Sequence, residues 1–205
     1  MLDRQVTQLI KPAIERVAAT LLALGLNANQ LTFMGFGLGV FAAGAIAWQH
    51  FGVGAALILL SRLCDGLDGA LARLTSPTDQ GGFLDIALDF LFYALIPLAF
   101  AVANPLANAL PAAVLLAAFI GTGSSFLAFA VLAAKRGLAN TAYPSKSLYF
   151  LGGLTEATET LAFFVAMCWW PEHFATLAYS FAALCAITIV TRIWWGYVAF
   201  TDRSN

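Results

Sequence analysis

The chain has 205 residues, of which 61% are hydrophobic and only 10% charged, with a formal net charge of −1. Together with a mean hydropathy of +0.84, this argues against an ordinary soluble domain and points to an integral membrane protein. It also argues against a nucleic-acid partner, which would need a basic surface.

Residues 1–24 predict an amphipathic helix. Leu2, Val6, Leu9, Ile10, Ala13, Ile14 and Val17 recur at helical spacing, while Arg4, Lys11, Glu15 and Arg16 fall elsewhere. This pattern suits a helix lying in the membrane interface, with a kink expected at Pro12. Six apolar stretches of membrane-spanning length follow, at about 31–48, 53–74, 83–102, 107–134, 148–170 and 174–200. The predicted fold is an all-α integral membrane protein, with residues 1–205 forming a single membrane domain. "GFGLG" at 35–39 lies inside the first span with no strand before it, so it reads as small-residue helix packing rather than a nucleotide loop. Cys64, Cys168 and Cys185 lack metal-ligand spacing and read as packing residues.

The basic residues set the orientation. Arg4, Lys11 and Arg16 precede the first span, and Arg62 and Arg73 close the second. Lys135, Arg136 and Lys146 bracket the fourth loop, and Arg192 and Arg203 lie toward the end. All fall toward one side of a six-span layout. The positive-inside rule makes that side cytoplasmic, with both termini there, in a cytoplasmic (inner) membrane.

The second span ends in "CDGLDGALARL" at 64–74, which places charge where lipid would be the solvent. Asp65 and Asp68 are three apart and share one helix face. Asp85 and Asp89 are four apart and share a face of the next helix. Four carboxylates on antiparallel neighbours repel unless a cation sits between them. Hard oxygen ligands at this density suit Mg²⁺ or Mn²⁺, with enough of them for two ions. Gly66, Gly69, Gly81 and Gly82 leave the backbone open beside the acids, and Arg73 offers a planar fork of donors to phosphate. The cluster therefore predicts a divalent-metal diphosphate site at the membrane–cytoplasm boundary.

At "DGLDGALARLTSPTDQGGFLDIALD" the chain resembles the CDP-alcohol phosphotransferase (CDP-alcohol phosphatidyltransferase) family. The signature D-x2-D-G-x2-A-R-x7-G-x3-D-x3-D is carried at every fixed position by Asp65, Asp68, Gly69, Ala72, Arg73, Gly81, Asp85 and Asp89. "NANQLT" is similar to the family's P-N-x-x-T, carried by Asn29 and Thr32, with Ala28 in place of the proline. The resemblance implies transfer of a phosphatidyl group from a CDP-linked donor, such as CDP-diacylglycerol, to a polar alcohol with release of CMP. It implies metal binding by Asp65, Asp68 and Asp85, with Asp89 close to the metals and acting as general base. It implies donor binding by Asn29, Thr32, Asp65, Gly69, Arg73 and Thr78, and it implies a homodimer.

The acceptor is not named by the sequence. Lys135, Lys146 and Arg192 are candidates for holding an acceptor phosphate, and Glu156 and Glu159 are placed within the fifth span as pocket residues or as hydrogen-bonding groups of the bundle. The cations favour a phosphorylated polyol; the glutamates favour an uncharged or amino alcohol. The rival readings are an intramembrane Mg-dependent prenyltransferase, whose acidic motifs lie far apart, and a divalent-cation transporter.

Overall fold

A computed structural model describes residues 2–137 and 154–201, all of them helix or short connection. The helices in chain order are α1 (Leu2–Ala23), α2 (Ala28–Ala47), α3 (Phe51–Leu74), α4 (Asp79–Ala103), α5 (Pro105–Lys135), α6 (Ala157–Trp169) and α7 (Phe174–Phe200). A 3₁₀ turn at Pro171–His173 leads into α7.

Local chemistry sets the helix starts. Asn27 and Gln30 form a reciprocal capping box on α2: the Asn27 side chain accepts from the Gln30 amide, and the Gln30 side chain accepts from the Asn27 amide, each at 2.9 Å. Thr78 caps α4 by accepting from the Gly81 amide at 3.1 Å. Asn104 alone separates α4 from α5 and caps α5, with Pro105 at its first position. A turn at Gln49 (φ 63°) joins α2 to α3, and the Gln49 side chain donates to the Ala103 carbonyl at 3.0 Å, tying this turn to the end of α4.

Four helices are long and apolar enough to cross a bilayer: α2, α4, α5 and the 171–200 segment containing α7. In α3 the length is sufficient, at 24 residues, but its second half carries Arg62, Asp65, Asp68 and Arg73. The fifth expected span differs most. Its stretch from 148 to 153 lies outside the described residues, Leu154–Glu156 are not helical, and α6 has only 13 residues. The reason is local: the Glu159 carboxylate accepts from the Glu156 amide at 3.2 Å, which fixes Glu156 as the residue before the helix rather than within it. The helix at the chain start runs through Pro12 without a break. Its Ile14, Ala18, Leu21 and Leu22 pack with Leu67, Ala70 and Leu71 of α3, so it lies against the acid-bearing half of that helix.

Close approach of α2 to its neighbours depends on glycine. A Cβ on Gly35 would stand 3.1 Å from the Cys64 Cβ, and one on Gly39 would stand 2.5 Å from Phe92 of α4. Small residues let these backbones meet, as expected from "GFGLG". The core beyond them is aromatic: Phe92, Phe100, Phe164, Phe174 and Phe181 are fully buried and joined by edge and stacked ring contacts. Large apolar side chains such as Phe41, Leu106 and Ile120 remain on the outside, which suits a lipid environment.

Candidate active site

Helical spacing on α3 puts Arg62, Asp65 and Asp68 on one face, and the same spacing on α4 puts Asp85 and Asp89 opposite. One carboxylate oxygen from each of Asp65, Asp68 and Asp85 lies within 4.8 Å of the other two. Asp68 is buried, and its Oδ2 has no hydrogen-bond partner among the described residues. A buried carboxylate oxygen left in this state beside two further acids is tolerated when a cation supplies the missing interaction. Three oxygen donors at such separations match what Mg²⁺ or Mn²⁺ takes from a protein, so these residues fit a divalent ion.

Asp89 is placed differently from the other three. Arg62 Nη1 donates to its Oδ1, and the same nitrogen stands 3.4 Å from Asp65 Oδ1. The Arg62 guanidinium lies over the Phe92 ring at 4.0 Å and near Tyr93 at 5.8 Å. Asp89, expected beside the metals as a fourth acid, is thus ion-paired with an arginine. Arg62 had been read only as a topology marker; its signal was its place three residues before Asp65, on the acid face.

The remaining donor-side residues surround this cluster. Thr32 and Gly35 of α2 line the same small recess as Arg62, Asp65, Asp85 and Asp89. Asn29 reaches the start of α4, its Oδ1 lying 3.2 Å from where a Gly81 Cβ would be. The same test puts Thr78 Oγ1 at 3.2 Å, so Gly81 leaves open the space between Asn29 and Thr78. Arg73 is exposed in the last turn of α3, with its guanidinium 3.4 Å from where a Gly69 Cβ would lie.

A second, wider cavity of about 510 Å³ opens between α4, α5, α6 and α7. Its walls are mostly aromatic and aliphatic, with Tyr93, Thr122, Thr155, Glu156, Thr160 and Arg192 as polar members. Arg192 is 8% exposed. Its Nη1 donates to the Thr122 carbonyl at 3.1 Å, its Nε is buried without a partner, and its guanidinium lies 5.7 Å from the Phe126 ring centroid. Tyr93 belongs to this cavity and also neighbours Arg62, so the cavity adjoins the acid cluster. Of the acceptor candidates, Glu156 and Arg192 meet here. Glu159 binds the Glu156 amide, Lys135 is exposed at the end of α5, and Lys146 lies outside the described residues. Tyr93, Thr122 and the Thr155–Thr160 pair had carried no separate signal in the sequence.

The sequence matches the CDP-alcohol phosphatidyltransferase family over residues 26–199, and the chain belongs to that family. It is 52% identical over 198 residues to the inner membrane protein YnjF of Escherichia coli K12, covering 97% of this chain and 96% of that one. It is 38% identical over 88 residues to the archaetidylinositol phosphate synthase of Pyrococcus horikoshii, covering 42% of this chain and 47% of the relative. Its fold is similar to the phosphatidylinositol phosphate synthase PgsA1 of Mycobacterium tuberculosis, solved with manganese and citrate. The TM-score is 0.72 at 21% identity, over 94% of this chain and 93% of the other. The same enzyme solved with CDP-DAG bound gives a TM-score of 0.69 at 21% identity, over 94% of this chain and 98% of the other.

Proposed function

We propose that this protein transfers a phosphatidyl group from CDP-diacylglycerol to a polar alcohol, releasing CMP at the cytoplasmic face of a membrane. The observation that carries the reading is the triad of Asp65, Asp68 and Asp85, with its orphaned Asp68 oxygen, set on the family signature. A CDP-DAG complex of PgsA1 supports the choice of donor. Family membership favours a cytidine-linked donor over a prenyl diphosphate, and a transferase over a cation transporter. In this reading α3 and α6 complete a six-span bundle, α1 lies along the inner leaflet, and two copies associate.

Asp65, Asp68 and Asp85 hold one or two Mg²⁺ or Mn²⁺ ions, which would neutralise the diphosphate and the charge that develops on departing CMP. Arg73 places a guanidinium against donor phosphate, and Gly69 leaves room for the cytidine. Asn29, Thr32 and Thr78 complete the donor wall between α2 and the start of α4. Asp89 takes the proton of the acceptor hydroxyl as its oxygen bonds to phosphorus and the phosphorus–oxygen bond to CMP breaks.

The acceptor we favour is a phosphorylated polyol seated in the cavity of α4 to α7. Arg192, buried with an unused Nε donor, suits its phosphate. Glu156 suits its hydroxyls. The PgsA1 and archaeal relatives, named for inositol phosphate products, support this choice. The test is direct. Purified protein is incubated with CDP-diacylglycerol, Mn²⁺ and a panel of alcohols that includes polyol phosphates, inositol, serine and glycerol, and the lipid masses and CMP are read. Absence of CMP release with every alcohol refutes the transferase. A product only with an unphosphorylated alcohol refutes the acceptor.

A further inference from the structure

We infer that Arg62 is a positioning residue that divides the four carboxylates three to one, leaving Asp65, Asp68 and Asp85 to the metal and holding Asp89 apart as the proton acceptor. The inference rests on the transferase reading above and adds to it a residue outside the family signature.

The geometry of Arg62 is built from three helices. Below it, its guanidinium rests on the fully buried Phe92 of α4 at 4.0 Å. Beside it, Ser61 donates to the Gly35 carbonyl of α2 at 2.7 Å and offers its oxygen to Arg62 Nη2 at 3.4 Å. Ahead of it, Nη1 bonds Asp89 Oδ1 and stands 3.4 Å from Asp65 Oδ1. Packing on a buried ring, a hydroxyl and two carboxylates fixes the fork in one orientation.

Such an arrangement is a poor stabiliser. A charge pair removed from water recovers its desolvation cost only with full hydrogen bonding, and Arg62 Nε is buried without a partner. Its use lies in sorting the acids. Asp89 follows Asp85 by one helical turn, so an unrestrained Asp89 shares the space in front of the triad. A carboxylate that gives its lone pairs to a divalent ion is a weak proton acceptor. Arg62 engages Oδ1 and leaves Oδ2 to take the hydroxyl proton as the new oxygen–phosphorus bond forms and the bond to CMP breaks. The guanidinium keeps its own protons throughout.

The role separates from simple structural support through metal affinity. Removing a cation from among four acids makes the cluster more negative and frees Asp89 to join it. Arg62→Ala should therefore bind Mn²⁺ more tightly, by about tenfold, since one unit charge at this range outweighs the 1.4 kcal/mol that a tenfold change requires. Turnover should fall about 10²-fold, the scale set by a misplaced reacting group, with the donor KM changed by less than about threefold. Arg62→Lys keeps the charge but not the fork and should recover a large part of both. The double variant Arg62→Ala/Asp89→Asn preserves the net charge, guarding against a fold lost through charge imbalance, and should give back most of the gain in Mn²⁺ affinity.

The experiment titrates Mn²⁺ by electron paramagnetic resonance on the purified, detergent-solubilised full chain, alongside CMP-release kinetics. Mn²⁺ affinity that is unchanged or weakened in Arg62→Ala overturns the inference, as does turnover equal to wild type. A gain that persists undiminished in the double variant also overturns it, because Arg62 would then act on Asp65 alone. The Mn²⁺ readout needs no substrate: if wild type releases no CMP while the affinity pattern holds, the transferase reading fails and the sorting of the acids stands.

Discussion

The acid cluster and the wide cavity behind it meet at Tyr93 yet are built in opposite ways. The cluster draws on two helices, α3 and α4, joined by the four residues 75–78. It is rich in charge, and its acids lie within a few ångströms of one another. The cavity draws on four helices, is mostly apolar, and has one buried cation, Arg192, among its described lining residues. In the cluster, each residue constrains the others through strong short-range electrostatics. In the cavity, a single position is changed without disturbing the rest. The contrast teaches how one reaction is combined with different acceptors: the chemistry sits on a short rigid hairpin, and selectivity is spread over helices that meet only in the fold.

The largest effect should come from the cluster. Asp68→Asn removes the charge of the most buried acid and should lower CMP release by at least about 10³-fold with every acceptor, while weakening Mn²⁺ binding. Excess EDTA should abolish wild-type activity, and added Mn²⁺ should restore it. Full activity in EDTA would break the distinction, since the cluster would then have no metal to hold.

Asp89→Asn should follow, with turnover reduced about 10²- to 10³-fold, the usual worth of a positioned base. Retention of CDP-diacylglycerol within about threefold of wild-type affinity, measured by binding of labelled donor, would separate Asp89 from the triad. Donor affinity that collapses as in Asp68→Asn would put Asp89 back among the ligands.

Arg192→Ala tests the cavity side. The KM for a phosphorylated acceptor should rise about 10- to 100-fold, the range of one charge-assisted contact, with donor KM and metal affinity unchanged. Acceptor kinetics left untouched by this change would remove the cavity from the reaction.

The same contrast explains what could be read from the chain. The acids were legible because helix periodicity is local: spacings of three and four fix a face without knowledge of the fold. "GFGLG" was legible as a packing stripe, but Phe92, which fills the space at Gly39, stands 53 positions later. Arg62 was counted toward topology because its partner Asp89 is 27 positions away, across the helix pair. The cavity was legible only as scattered candidates. Thr122 and Arg192 are 70 positions apart and meet through the packing of α5 against α7. Hydropathy also could not see where α6 begins. The apolar signal extends on both sides of Glu156, and the start of the helix is set by one side-chain bond to a backbone amide.

That bond gives the smallest prediction and divides the cavity side itself. Glu156 and Glu159 were equivalent by spacing, yet Glu156 lines the cavity and Glu159 accepts the Glu156 amide at the first turn of α6. A carboxylate there satisfies an amide that has no partner within the helix and faces the positive end of the helix dipole. Glu159→Ala should cost about 1 kcal/mol, as loss of a cap does. In a protein of this size that lowers the midpoint of thermal unfolding by about 2–4 °C. Glu159→Gln should cost less, because its side-chain oxygen still accepts the hydrogen bond. Acceptor KM should stay within about twofold in both variants, whereas Glu156→Gln should change acceptor preference with little effect on the unfolding midpoint. If Glu159→Ala raises acceptor KM as much as Arg192→Ala does, Glu159 belongs to the pocket and its bond to the Glu156 amide is incidental.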